Sequence, residues 1–336
     1  MSRPVDPAEL VERIRRGEAR AVARAISLIE NARPGSIARS GERRSVLREL
    51  AAGLAPYAGR AQVVGITGSP GVGKSTSTTM LVTALRAAHR RVGVLAVDPS
   101  SPFSGGALLG DRVRMQEHAT DPGVFIRSMA SRGHLGGMAA ATPQAIRVLD
   151  AAGCDVVLVE TVGVGQAEVD VASTADTTLV LLAPGMGDGI QAAKAGILEV
   201  ADVFVVNKAD RDGAEQTVRD LRYMLSLGGR HSAAGAWRPP IVTTVASRGQ
   251  GADDVLGAVE RHRDWLASTD ELTRRRAARA AGEIEALAAG ALRRRTAALR
   301  GQSALPALAE RVVAGESDPS SAAAELLGPL TGAPGP

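Results

Sequence analysis

The sequence predicts an α/β fold in which a mostly parallel sheet is covered by helices, preceded by a helical extension and followed by a helical arm. Three observations carry this reading. Short apolar runs rich in Val and Ile recur between residues 62 and 246, longer helical segments separate them, and helical periodicity returns at both ends of the chain. Continuous apolar strands that alternate with helices mark a parallel sheet buried on both faces. The runs lie at 62–67, 92–97, 123–127, 154–160, 177–183, 202–207 and 241–246.

The extension covers residues 1–58. Leu10, Ile14, Val22, Ile26 and Ile29 recur at helical spacing over 7–31, with Asp6 as cap and Pro7 in the first turn. A second helix covers 41–54 and ends at Gly53 or Pro56. The α/β domain spans 59–266. The arm covers 267–315, and its segment 270–300 is rich in Ala, Glu and Arg. A helix so far outside the core has little to pack on within one chain. Its Ile284, Leu287, Leu292 and Leu299 are left to meet a second subunit. The clusters Arg274-Arg275-Arg276 and Arg293-Arg294-Arg295 read as a solvated helix face. Residues 316–336, rich in Ala, Pro, Gly and Ser, are expected to be loosely ordered.

Composition excludes several function classes. The formal charge of +4 is small for 336 residues, and only 2% are aromatic, so no nucleic-acid partner is expected. Lys74, Lys194 and Lys208 are the only lysines among 40 basic residues, the rest being arginine. The one cysteine, Cys154, sits in an apolar run and reads as a buried structural thiol. No secretory h-region precedes Arg16, and no apolar stretch approaches the ~20 residues that span a bilayer, so a cytoplasmic protein without a membrane partner is expected.

The chemistry begins after the first strand. Val63-Val64-Gly65-Ile66-Thr67 runs into Gly68-Ser69-Pro70-Gly71-Val72-Gly73-Lys74-Ser75-Thr76, which matches G-x-x-x-x-G-K-[ST] between strand and helix. The glycines let successive N–H groups converge on phosphate oxygens, and the helix presents its positive end to the same anion. Lys74 neutralises the outer phosphates and Ser75 offers its hydroxyl to Mg²⁺.

Mg²⁺ takes few protein ligands, mostly carboxylates. Asp98 ends the strand 92–97 and Glu160 ends the strand 154–160. Asp111 follows a Ser/Gly-rich loop; alone it reads as a surface charge, and it becomes a candidate because that loop belongs near the phosphate site. In Glu160-Thr161-Val162-Gly163 the Gly163 N–H can bond a terminal phosphate. The next residue, Val164, cannot orient a water, so intrinsic hydrolysis is expected to be slow.

Asn207-Lys208-Ala209-Asp210 selects the base. A carboxylate at Asp210 accepts from guanine N1–H and its exocyclic amine, whereas adenine would leave it unpaired at ~1–3 kcal/mol. N-K-x-D alone is weak, but about 130 residues after a P-loop and at a strand end it is specific. In the loop Ala246-Ser247-Arg248-Gly249 a backbone N–H can reach guanine O6. Together these motifs predict a P-loop GTPase that binds GTP or GDP with Mg²⁺.

Longer motifs carry a resemblance. Asp98-Pro99-Ser100-Ser101, Ser104 through Arg112, Arg132 through Gly137, Glu160 through Gln166 and Pro184 through Lys194 resemble signatures of the MeaB/ArgK group, G-protein chaperones of methylmalonyl-CoA mutase. The resemblance implies a homodimer joined by the C-terminal arm, and a partner that is an adenosylcobalamin-dependent acyl-CoA mutase. It implies that GTP gates cofactor loading and protects the mutase, with Mg²⁺ contacts from Ser75, Asp98, Asp111 and Glu160. Gln191-Ala192-Ala193-Lys194 departs from the group's more polar versions, which leaves the third switch and the role of Lys194 open.

Four rivals are weaker. A kinase or ATPase of an amino-acid transport system conflicts with Asp210. A metal-insertion GTPase needs clustered soft or imidazole ligands, and the five histidines are scattered. A signal-recognition GTPase needs a Met-rich groove, and 7 methionines are present. A nucleotide-gated scaffold differs only in that its hydrolysis is incidental.

Overall fold

The structure, a computed structural model, describes residues 6–31, 40–98, 115–130, 141–161, 171–185, 198–227, 235–300 and 304–331. Seven strands form one sheet: β1 (Gln62–Thr67), β2 (Val92–Asp98), β3 (Val124–Ala130), β4 (Val156–Thr161), β5 (Thr177–Leu182), β6 (Val203–Val206) and β7 (Ile241–Thr243). Their order is β3-β2-β4-β1-β5-β6-β7, and every pairing between them is parallel. Every residue of β1, β4, β5 and β6 is buried, as continuous apolar runs demand.

Alternate residues of each strand enter opposite cores. Val63, Leu95, Val157 and Val159 meet α1 (Pro7–Arg15), α2 (Ala19–Glu30), α3 (Ser40–Leu54) and α5 (Thr142–Ala151). Val64, Ile66, Val94 and Leu158 meet α4 (Lys74–Ala87) and α7 (Ala252–Ser268). A third cluster joins Val180, Leu182, Phe204 and Val206 to Leu221 of α6 (Ala214–Leu227). Cys154 is buried beside the first core, and burial pushes its thiol up to about 12, so it is an inert core residue at neutral pH.

The chain divides into two compact units, and the division falls between Arg275 and Arg276, in the second turn of α8 (Glu271–Arg300). The N-terminal helices belong to the first unit and share its core. In the second, α9 (Ala304–Val313) packs on α10 (Pro319–Thr331), with Arg311 bonded to Glu325 at 3.0 Å.

Two expectations are corrected. The single helix over 7–31 is two, because Gly17 takes φ +72° and its neighbours cap α1: Glu18 N–H bonds Arg13 O and Gly17 N–H bonds Ile14 O. Residues 319–331, expected to be loosely ordered, form α10. Asp318 caps it, accepting from Ser320 N–H at 2.8 Å and Ser321 N–H at 3.1 Å, with Pro319 as the first helical residue. An acidic cap followed by proline outweighs a low-complexity composition.

Candidate functional site

The chain leaves β1 toward β2 on one side, and from β4 it crosses over β1 to β5 on the other, so the two connections diverge beside β1. Ligands of open α/β sheets lie beyond the strand C-termini at such a point. The loop from β1 into α4 lies there. Gly68 has φ +139°, and a Cβ on it would come within 2.3 Å of the Leu181 carbonyl oxygen on β5, so only glycine fits. Gly73, at φ +96°, precedes the first residue of α4 and faces Asn207 Nδ2. The Lys74 ammonium is buried and donates to Gly68 O at 2.7 Å and Ser69 O at 3.1 Å, so it lies folded against the loop's own carbonyls.

Glu160 is 4% exposed, and the β1–β4 register sets it opposite Ile66. Ser75 donates to its Oε1 at 2.6 Å, and Thr78, one turn further along α4, donates to its Oε2 at 2.9 Å. A hard divalent cation takes oxygen donors, and the Ser75 hydroxyl and Glu160 carboxylate are such donors at the phosphate end of the loop. They fit Mg²⁺. Among the described residues no three His, Cys, Asp or Glu side chains form a metal-ligand set.

Asn207, directly after β6, ties three loops together. Its Nδ2 donates to Val72 O at 2.8 Å, and its Oδ1 accepts from Ala246 N–H at 3.1 Å and Thr244 Oγ1 at 3.2 Å. Lys208 takes a left-handed backbone, φ +57°, unusual for a side chain of its size, and donates to Gly71 O at 2.6 Å. Asp210 lies 3.5 Å from an Arg248 guanidinium nitrogen. Ala246–Arg248 form one 3-10 turn, in which Arg248 N–H bonds Val245 O.

The structure thus brings Gly68, Ser69, Pro70, Gly71, Val72, Gly73, Lys74, Ser75 and Thr76 together with Glu160, Asn207, Lys208 and Ala246, and pairs Asp210 with Arg248 on the same side. Asp98 ends β2, but its side chain lies outside the described residues, as do Asp111, Gly163, Val164 and Lys194. Thr78 and Thr244 were not foreseen. Thr78 carried a signal, since it stands three residues after Ser75 on a helix. Thr244 carried none.

A second polar cluster is buried at the opposite ends of the strands. Asp202, just before β6, accepts from both Arg275 guanidinium ends at 3.1 Å, from Thr178 N–H at 2.8 Å, and its own carbonyl accepts from Trp237 Nε1 at 2.7 Å. Burial raises the Asp202 pKa despite Arg275. His262 is fully buried, bonded to Thr177 Oγ1 at 2.9 Å and 3.3 Å from Asp202. Burial, and then the Arg275 charge, push it down to about 3, so it is neutral. Arg275, expected on a solvated face, is turned inward because a buried carboxylate waits one helix away.

Known proteins resemble this chain over much of its length. The family model described as Methylmalonyl Co-A mutase-associated GTPase MeaB matches residues 22–300. A Pyrococcus abyssi protein provisionally named a GTPase is 46% identical, over 96% of this chain and 97% of its own. GTPase ArgK of Escherichia coli is 37% identical over 75% of this chain and 74% of its own. The mouse methylmalonic aciduria type A homolog, a mitochondrial protein, is 38% identical over 63% of this chain and 52% of its own. A crystal structure described as LAO/AO transport system kinase superposes with TM-score 0.70 at 26% identity, over 97% of this chain and 98% of that one.

Proposed function

The chain belongs to the MeaB family of mutase-associated GTPases, and on that footing we propose that it is a Mg²⁺-dependent GTP switch for an adenosylcobalamin-dependent acyl-CoA mutase, methylmalonyl-CoA mutase first. One observation carries the nucleotide part: Asn207 and Lys208 bond the base-reading segment directly to the phosphate loop. That segment ends in Asp210, which accepts from guanine N1–H and the exocyclic amine. Ala246 and Arg248 already have acceptors for their N–H groups, so the Ser247 N–H is the one for guanine O6.

At the other end, Lys74 leaves the loop carbonyls for the phosphates. Ser75 and Glu160 would hold Mg²⁺, with Asp98 and Asp111 completing the set. The metal supplies charge neutralisation of the phosphate oxygens. The N–H of Gly163 senses the terminal phosphate, and Val164 leaves the attacking water unplaced, so turnover waits on the partner. The mutase reading rests on family membership: GTP state gates cofactor loading and protects the client. The chain acts as a homodimer through its arm, where Ile284, Leu287 and Leu292 are each more than half exposed.

The deciding experiment measures GTP turnover alone and with candidate mutases, alongside a pull-down. A mutase that binds and changes the rate supports the switch; no rate change with any of them sinks it. Competition by ATP as strong as by GTP would instead favour the transport-kinase reading. Light scattering reads the dimer, and a monomer at micromolar concentration would remove that part.

A further inference from the structure

We propose that Thr78 is a positioning residue for the Mg²⁺ centre: its hydroxyl locks the second oxygen of Glu160 so that the first holds the Ser75 hydroxyl in metal-binding orientation. The inference rests on the nucleotide reading above and extends it to a residue outside the phosphate-loop motif.

The geometry is a two-point clamp. Ser75 and Thr78 lie one turn apart on the same face of α4. Ser75 Oγ reaches Glu160 Oε1 at 2.6 Å, and Thr78 Oγ1 reaches Oε2 at 2.9 Å. All three residues are buried, Thr78 completely. Thr78 Oγ1 also lies 3.0 Å from Lys74 O. It has one proton for two acceptors, and an ionised carboxylate holds a hydroxyl proton more strongly than a carbonyl does.

The clamp matters because of what each hydroxyl has left to offer. Ser75 gives its proton to Glu160, and a hydroxyl oxygen that donates can still hold a cation through its lone pairs. Where those lone pairs point depends on where Oε1 sits. Glutamate has one more rotatable bond than aspartate, so one hydrogen bond fixes its carboxylate plane poorly. The bond from Thr78 to the other oxygen restricts that freedom before the metal arrives. Groups that orient metal ligands in this way typically contribute 10–100-fold to metal affinity.

The test compares T78V, which keeps shape and loses the hydroxyl, with T78S, which keeps the hydroxyl, and T78C, which offers a weak donor. Binding of a fluorescent GDP is measured in EDTA and then across a Mg²⁺ titration, with melting temperature recorded for each protein. The expected result is a Mg²⁺ requirement about 10-fold higher in T78V, near wild type in T78S and between them in T78C. Affinity in EDTA stays at the wild-type value in all three. Should T78V fail to fold, the order of wild type, T78S and T78C carries the test. An unchanged Mg²⁺ requirement in T78V or T78C, or an equal loss of affinity with and without Mg²⁺, overturns the inference alone. A wild type whose guanine binding ignores Mg²⁺ overturns the underlying reading and this inference with it.

Discussion

Glu160 and Asp202 are buried carboxylates at opposite strand ends of one parallel sheet, nearly level in register but three strands apart, roughly 14 Å by strand spacing. Glu160 stands at the C-terminal end of β4 and is met by two hydroxyls. Asp202 stands at the N-terminal end of β6 and is met by a guanidinium and an amide N–H, with a neutral imidazole nitrogen 3.3 Å away. The difference lies in the donors. A hydroxyl that gives its proton still has lone pairs for a newcomer, whereas a guanidinium has none. One end is therefore built to accept a cation and the other is already neutralised. Exchange belongs to the first and anchorage to the second.

Removing Asp202 tests anchorage and has the largest expected effect. Asp202→Ala leaves Arg275 its longer 3.4 Å contact to the Glu271 carboxylate and costs about 3 kcal/mol, the lower end for a buried pair because Arg275 keeps that contact and remains a third exposed. Denaturant unfolding reads the loss. Guanine-nucleotide affinity of the folded fraction should not change, and a parallel loss there would break the separation between the two ends.

Removing Asp210 tests exchange at the base. Asp210→Ala should weaken GDP binding by about 2 kcal/mol, roughly 30-fold, while leaving the melting temperature of the free protein unchanged. Calorimetry against GDP and ADP checks it. A variant that still prefers GDP by the wild-type ratio would remove Asp210 from the base site.

The third effect is graded with pH and is absent at neutral pH. His262 has a native pKa near 3 against 6.5 unfolded, so the unfolded chain binds a proton that the folded one refuses. Its stabilising contribution is complete above pH 6.5 and is lost toward pH 3, with a slope of about 1.4 kcal/mol per unit. Asp202 works against this: its raised pKa lets the folded state take up a proton more readily as pH falls. His262→Gln isolates the histidine. Its stability should fall less steeply from pH 6.5 to 4 than that of wild type, and equal slopes would assign acid lability elsewhere.

Much of this was legible in the sequence. All seven strands lie where apolar runs announce them, because a strand buried on both faces needs no alternation to be seen. The tight turn from β1 into α4 was legible because its backbone curvature requires glycines at fixed spacing, as at Gly68 and Gly73. Local signals compete elsewhere: Gly17 breaks a stretch whose apolar residues keep helical spacing on both sides, and Asp318-Pro319 opens a helix within an Ala/Ser-rich segment. Arg275 was illegible in principle, since its partner lies 73 positions away and nothing in a run of arginines says which one turns inward.

The tryptophans carry a consequence for observing the molecule. The chain has two, Trp237 and Trp265, and their rings lie 4.7 Å and 5.7 Å from the His262 ring. Indole emission is quenched by an imidazolium, not by its neutral form. Intrinsic fluorescence is thus a built-in acid gauge for the Asp202 end of the sheet. It should dim as the histidine charges and stay constant while nucleotide fills the far end, which only a labelled base would reveal.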